Sequence, residues 1–590
     1  MVADYEHPVT DRPTEALLVQ HSRPSLSAAR KSVSFSEERR SRDYSKRKRT
    51  KHGRQTLGLD PTDIESEALL GRASEDTEGD SDAQSSDTID TGPKSAYERK
   101  IDLVTQEIDN LGFGRYQWGL FIVCGSGWLL DLLWAHAFGL AMPAIQHELG
   151  ISERQYGYLS TGFSLGMTLG ALTWGILLDT LGRRAAFNYT VAISSVFGIC
   201  TGFVNSYALL VFLASGVGFG VGGNIPVDTT IFLEFIPQKD RAMLVVMSIF
   251  QPIGSILSTL IAWALIPRFS CPPKLPSCRT ILRPEETTCC SRQLNYGWRY
   301  MFFTISAITL FIFGIRFIAF TMLESPAFLL SHGRDEEAVE VLHTIAKRNE
   351  TVTRLTIEHI TAQNERDATP SSSANGPPDR GFIALMQSKL TKFDIGHLTL
   401  LFKNTTTTRL TILTWLIYSA DFWGFTLAGV FLPKILLQKG AIQHVAVTET
   451  YKQYIYIAMA GIPGALLSML IIQKGIGRRI TMIASSAMMA ASLFLFATVS
   501  SKTGNLLFNC LEYFSQTIFN AILYAWTPEV FEPGVRGSAT GIASFWGRSV
   551  SIIAPLLGSM IFASSGGGNK VLFAAGGGTL VATLCLVLLP

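Results

Sequence analysis

From Tyr116 onward the chain is a succession of apolar runs of about 20 residues, each long enough as a helix to cross the ~30 Å hydrocarbon core of a bilayer. Twelve are expected, at 118–142, 157–178, 186–205, 208–233, 243–265, 301–322, 409–433, 453–473, 480–500, 505–526, 538–562 and 570–589. Lipid offers the backbone no hydrogen-bond partners, so each run must satisfy its own N–H and C=O groups by coiling into a helix. Only 16% of the 590 residues are charged and 47% are hydrophobic, which excludes a string of soluble domains. The net charge of +3 is small and spread out, and no nucleic-acid surface is expected.

Residues 1–110 differ in kind. They are rich in Ser, Asp, Glu, Arg and Lys, a composition that cannot bury enough apolar surface to offset ordering entropy, and an unstructured cytoplasmic tail is expected. The first 30 residues hold no apolar stretch of the kind a cleavable signal needs. The basic cluster KRKRTKHGR at Lys46 to Arg54 and the acidic ESEALLGRASEDTEGDSD are read as a solvated segment, with anionic-lipid binding, a nuclear-type address or a phosphorylation target as the alternatives.

With that tail inside, Arg183, Arg184, Lys239, Arg241, Lys474, Arg478, Arg479 and Arg536 all fall on the cytoplasmic side, as does the linker 323–408. The 266–300 segment then lies outside and carries Cys271, Cys278, Cys289 and Cys290. These are disulfide candidates in an oxidising compartment; four thiols allow three pairings, and the adjacent Cys289 and Cys290 are not expected to bond each other. Cys124, Cys200, Cys510 and Cys585 sit in apolar runs and read as packing residues. The sequons at Asn188, Asn349 and Asn404 fall within a span or inside, and no glycan is expected on them.

The charges outside the lipid repeat. Gly182-Arg183-Arg184 recurs as Gly477-Arg478-Arg479, an offset of 295 residues (479 − 184). Glu234 maps onto Glu529 and Arg241 onto Arg536 with the same offset, 529 − 234 and 536 − 241. Five positions in one ungapped register indicate a duplication of about six spans, giving an N-terminal bundle at 111–322 and a C-terminal bundle at 409–590. Gly175, Asp179, Gly182, Arg183, Arg184, Glu234, Arg241, Arg478, Arg479, Glu529 and Arg536 all lie at the cytoplasmic ends of spans. They are expected to form a gate whose ion pairs bias a conformational equilibrium.

The stretch GILLDTLGRR, Gly175 to Arg184, resembles the loop 2–3 signature of the major facilitator superfamily. ESPAFLLSHGRDEEAVEVL after span 6 resembles the corresponding segment of sugar-porter relatives. GGNIPVDTTIFLEFIPQKDRA and TPEVFEPGVRGSATGIASFWGR are similar to the metabolite:proton symporter branch, related to synaptic vesicle 2-like proteins, in its fungal-type form. The resemblance covers about Gly112 to Pro590 and implies an all-α membrane protein of twelve transmembrane helices in two six-helix bundles. It also implies an acidic residue with a role in span 1. The chain departs from the pattern at Ala214, where many members carry a span 4 Arg, at Lys474, which replaces an Asp, and at Pro590, where the usual polar tail is lacking.

Ionisable residues inside spans are costly and so ask for a partner or a function. Asp131, flanked by Trp128 and Trp134, is the proton-coupling candidate. Span 4 offers Asn224 and Asp228; span 5 a polar face of Ser248, Gln251, Ser255 and Ser258; span 7 Thr414, Tyr418 and Asp421; span 10 Glu512, Gln516, Asn520 and Tyr524. Arg548, deep in span 11, cannot lose its proton and must face an anion. The expected cavity residues are Trp134, Asn224, Asp228, Gln251, Tyr418, Asp421, Glu512, Gln516, Asn520 and Arg548.

These residues point to a secondary active transporter that moves a small organic metabolite by alternating access, coupled to protons. One midplane Arg among Trp and Tyr favours a carboxylate or an aromatic or heterocyclic acid. Efflux of a cell-made metabolite and a non-transporting nutrient sensor are the alternatives. No P-loop and no metal-ligand cluster occurs in the sequence, so neither an enzyme nor a cofactor is expected. The expected partners are a small solute, protons and the bilayer, and the expected form is a monomeric multi-pass protein of the plasma membrane with a cytoplasmic N-terminus.

Overall fold

The computed structural model describes residues 96–365 and 400–590, apart from short stretches at 273–274, 281–288, 319, 321, 443–445, 475–476, 532–535 and 565. Residues 1–95, with their basic and acidic clusters, lie outside the described residues. Helices α2 (Arg115–Leu149), α3 (Tyr158–Leu181) and α4 (Arg183–Thr201) occupy the first three expected spans. Span 4 divides at Gly222 and Gly223 into α5 (Tyr207–Val221) and α6 (Asn224–Phe235), and span 5 divides ahead of Pro252 into α7 (Met243–Met247) and α8 (Phe250–Leu265). Helix α9 (Gly297–Ile318) closes the first half.

Between the halves lie α10 (Pro326–Ser331), α11 (Asp335–Asn349) and α12 (Ile357–Glu365). The second half repeats the plan with α13 (Thr405–Ile442), span 8 as α14 (Val447–Met459) and α15 (Gly461–Gln473), then α16 (Arg478–Thr498), α17 (Lys502–Val530), α18 (Arg536–Phe562) and α19 (Gly567–Val587). Nine described helical segments are long and apolar enough to cross a membrane. The other three expected spans, α3, α4 and α17, are helical as well. Helices α2 and α13 overrun their expected ends, because charged residues such as Glu148 and Lys434, which stop the hydropathy signal, are paired inside the fold. Gly150, at φ 62°, and Gly182, at φ 92°, end α2 and α3 in conformations that suit glycine.

One expectation needs correction. Residues 96–110, placed in the unstructured tail, fall in the amphipathic helix α1 (Ala96–Leu111), with Val104, Ile108 and Leu111 buried. Lys100 pairs with Asp335 at 2.5 Å, and Glu107 accepts from the Thr353 hydroxyl at 2.6 Å and the Arg354 amide at 2.9 Å. Burial opposes ionisation of Glu107, yet these hydrogen bonds together hold its carboxyl below the usual range. The polar composition of the whole tail masked a short apolar stripe at helical spacing.

The cores place the halves relative to each other. One buried cluster draws on both halves, and at its heart Tyr156 stacks on Phe431, and Phe431 on Phe562, each at 5.5 Å between centroids. Around it Lys434 pairs with Glu153, Tyr451 donates to the Leu140 carbonyl at 3.0 Å, and Ser559 Oγ accepts from the Gly157 amide at 2.8 Å. A Cβ on Gly157 would come within 2.1 Å of the Pro555 carbonyl, so this seam closes only because residue 157 is glycine. The loop after α8 lies beside this end, held by two disulfides, Cys271–Cys290 and Cys278–Cys289, and by Ser277 Oγ on the Glu148 carbonyl at 3.0 Å. At the opposite end, which carries Arg183 and Arg478, each half has its own apolar cluster and a cavity of about 500 Å³ lies between them. The described residues form two helical halves, sealed at the disulfide face and parted at the arginine face.

Candidate functional site

Between the seal and the wide cavity, residues from both halves enclose a central cavity of about 110 Å³. Asp131 and Gln251 reach it from α2 and α8, Asp421 from α13, Gln516, Asn520 and Tyr524 from α17, and Arg548 from α18. Polar residues three or four apart on α17 fall on one helix face, which is why that helix supplies three of them.

Several of these side chains leave hydrogen-bonding capacity unused. Asp131 leaves Oδ1 buried and without a partner, and Asn224 beside it donates to the Gly127 carbonyl at 3.4 Å. Asp421 Oδ1, Gln516 Nε2, Asn520 Oδ1 and Arg548 Nη1 are likewise buried and unpartnered among the described residues. Buried polar groups in proteins are almost always satisfied, so five orphans around one cavity mark a place that a ligand or water completes.

Glu512 lines a neighbouring cavity toward the sealed face, together with His136, Tyr454 and Asn509. Tyr513, Gln516 and Phe425 border both cavities. Between them Tyr513 Oη and Ser255 Oγ, from opposite halves, share a hydrogen bond of 2.7 Å, and Ser255 Oγ lies 3.4 Å from His136 Nδ1.

The remaining expected cavity residues sit elsewhere. The Trp134 indole donates to Thr309 on α9 at 3.1 Å and packs against Phe138 and Phe302. Tyr418 is fully buried, with its hydroxyl 3.0 Å from that of Thr527. Asp228 pairs with Arg316 of α9 at 3.4 Å, and both side chains are 0% exposed. A Cβ on Gly127 would lie 1.7 Å from Asp228 Oδ2, so the glycine lets this pair tuck against α2.

Sequence reasoning passed over Arg316, although it stands alone in an apolar run as Arg548 does. It also passed over the Glu148–Arg299 pair, whose two contacts of 2.8 Å are joined by the Trp298 indole at 2.9 Å. His136 and Lys434 were missed as well.

At the arginine face, Arg183 grips Glu234 through Nε and Nη2, at 3.2 and 3.0 Å, and Arg478 pairs with Glu529. Both pairs stay within their own half. Glu324, from ESPAFLL, accepts from the backbone amides of Arg183 and Arg184 at 2.8 and 3.3 Å and so ties the linker to Gly182. Arg241, Arg478 and Glu529 line the wide cavity, and Arg479 donates to the Val587 carbonyl at 2.8 Å. Gly175 is exposed. The side chains of Asp179 and Arg536 lie outside the described residues.

The sequence profile of the Major Facilitator Superfamily matches residues 119–434. The MFS siderochrome iron transporter 1 of Ceriporiopsis subvermispora is 35% identical over 468 residues, covering 78% of this chain and 85% of its own length. The synaptic vesicle 2-related protein of Rattus norvegicus is 24% identical over 483 residues, covering 78% and 76%. Among solved structures, the partially occluded, inward-open xylose transporter XylE of E. coli matches with a TM-score of 0.56 at 16% identity, over 80% of this chain and 98% of its own. With twelve expected spans all helical, two halves around a central polar cavity and these matches, the chain belongs to the major facilitator superfamily of transporters.

Proposed function

We propose that the protein is a secondary active transporter that moves a small organic solute bearing a carboxylate by alternating access, in symport with protons. The observation that carries this reading is the pairing of opposites in the central cavity. Asp131 and Arg548 line the same space, each with an unpartnered polar atom, and no ion pair joins them. A guanidinium fork suits a carboxylate, which it holds through two parallel hydrogen bonds. A proton on Asp131 would remove the competing anion and leave Arg548 to the solute, so proton and solute would load together.

The positive-inside pattern assigns the arginine face, the linker and the N-terminal segment to the cytoplasm of a plasma-membrane protein. On that assignment the described conformation faces inward. Return to the outward state would part the Tyr156–Phe431–Phe562 seam and bring the charged ends of the two halves together. The protein would act as a monomer, since one chain carries the complete cavity.

The test is uptake of labelled organic acids into proteoliposomes under an inward-directed proton gradient. Asp131→Asn is expected to abolish accumulation driven by the gradient while keeping exchange of solute across the membrane. Accumulation that survives with its original pH dependence would assign the proton to another group. A chain that shows no flux of any solute, at full length or without residues 1–95, would favour the sensor.

A further inference from the structure

The charges around the central cavity do not balance. Among the described residues, the central cavity and the one beside it carry three carboxyl groups, Asp131, Asp421 and Glu512, against one guanidinium, Arg548. His136 is the other nitrogen base on these walls, and its Nδ1 is engaged with the Leu132 carbonyl at 3.0 Å. The other buried charges nearby are already committed. Arg316 serves Asp228, Arg299 serves Glu148, and Lys434 serves Glu153. Lys439 is taken up by the Phe496 and Val499 carbonyls.

Asp421 is the telling member. It is 2% exposed, lines the central cavity, and makes no hydrogen bond or ion pair among the described residues, with Oδ1 fully buried. Glu512 lies one wall away, where Gln516 borders both cavities. A solute carrying only a carboxylate would satisfy Arg548 and leave Asp421 as an isolated acceptor in a desolvated site, an arrangement that is costly unless something donates to it. A solute with a protonated nitrogen or a polarised N–H at its far end would supply that donor.

We propose that the central site recognises an amphoteric solute, whose carboxylate lies on Arg548 and whose ammonium, or N–H of a nitrogen heterocycle, lies on Asp421. This rests on the reading of the cavity as the solute site and narrows the class of solute it takes. Asp421 and Arg548 both belong to the second half, so that half would hold the two poles of the solute. Asp131, from the first half, is left to carry the proton. The arrangement separates solute recognition from coupling between the halves that move against each other.

The test uses purified full-length protein and matched sets of probes. One set is benzoate, benzylamine and 4-(aminomethyl)benzoate; a second is hexanoate, hexylamine and 6-aminohexanoate; a third is acetate, imidazole and imidazole-4-acetate. Equilibrium binding is measured for wild type, Asp421→Asn and Arg548→Gln. In at least one set the two-group compound is expected to bind about ten-fold tighter than either single-group compound, the effect of one added charge-assisted hydrogen bond. Asp421→Asn should reduce that compound to the affinity of its carboxylate-only relative, and Arg548→Gln to that of its nitrogen-only relative. Circular dichroism and gel filtration of each variant confirm that it is folded.

Two results overturn the inference while leaving the transport reading intact: carboxylate-only probes that bind as tightly as their two-group relatives, or an Asp421→Asn variant with unchanged preference. Carboxylate binding that survives Arg548→Gln undamaged would instead overturn the assignment of Arg548 to the solute. Failure of every two-group probe to bind the wild type overturns the amphoteric class.

Discussion

The two halves are built on one repeat but treat their buried charges differently. In the first half, Glu148–Arg299 and Asp228–Arg316 are closed pairs, with every one of the four side chains at most 6% exposed. Asp131 is the exception. In the second half, Asp421, Glu512 and Arg548 have no ion-pair partner among the described residues, and all three open onto cavities. A closed pair in a low-dielectric interior fixes helices against one another, and breaking it strands a charge. An open charge does no such work. It costs stability and returns something only when a ligand or proton meets it. On the proposed reading, the comparison separates a half whose buried charges, Asp131 apart, brace the helices from a half whose open charges meet the solute.

The largest effect is expected where a closed pair is opened. Glu148→Gln leaves Arg299 buried without its carboxylate and should destabilise the protein by about 3–5 kcal/mol. The measurement is recovery of folded protein from membranes, with thermal unfolding of what remains. Adding Arg299→Met should restore much of the loss, because the stranded charge is then gone.

A smaller effect tests the seam that joins the halves. Gly157→Ala forces a methyl against the Pro555 carbonyl and should cost the sealed state about 1–3 kcal/mol. That is enough to shift the population toward the state open at the disulfide face. Ser160→Cys in the same chain provides the probe, since residue 160 lines a cavity just inside the seal. Its reaction with a thiol reagent applied from the disulfide face should accelerate; unchanged labelling would mean that the seam does not set this equilibrium.

The smallest effect lies outside the membrane. Glu107→Gln should loosen α1 from the linker by about 1 kcal/mol, seen as faster amide exchange in residues 96–111. Because the folded-state carboxyl is held below its ordinary value of about 4.3, its contribution is complete above that pH and is lost as the pH falls through the lowered value. Equal exchange in wild type and variant at neutral pH would show that Glu107 does not help to hold α1 in place.

The helices were legible because a span has one solution in lipid and announces it through 20 apolar residues. Charge-bearing residues were legible for the same reason: Asp131, Asp421 and Arg548 stand out against their neighbours. Partnership was not legible. Arg316 and Arg548 look alike in sequence, each a lone Arg in an apolar run, yet one is closed on Asp228 and the other is open. The difference lies in which helix passes opposite, and only the packing of α6 and α9 on α2 brings Asp228 to Arg316. Trp134 shows the same limit. It lies three residues from Asp131, but its rotation about α2 carries the indole to Thr309 and away from the cavity. Helix α1 was hidden by averaging, because its five apolar residues sit at the end of a long polar segment.

The account turns on the claim that closed charges scaffold and open charges recognise. The most direct measurement compares unfolding midpoints of purified Asp228→Asn and Asp421→Asn without solute. Both changes remove one buried aspartate carboxylate from a membrane-spanning helix, Asp228 at 0% and Asp421 at 2% exposure, and only the first leaves a buried guanidinium behind. Asp228→Asn is predicted to lower the midpoint by several degrees, while Asp421→Asn leaves it within about a degree of wild type or raises it. An equal fall in both variants would contradict the account, because Asp421 would then hold the fold together as Asp228 does.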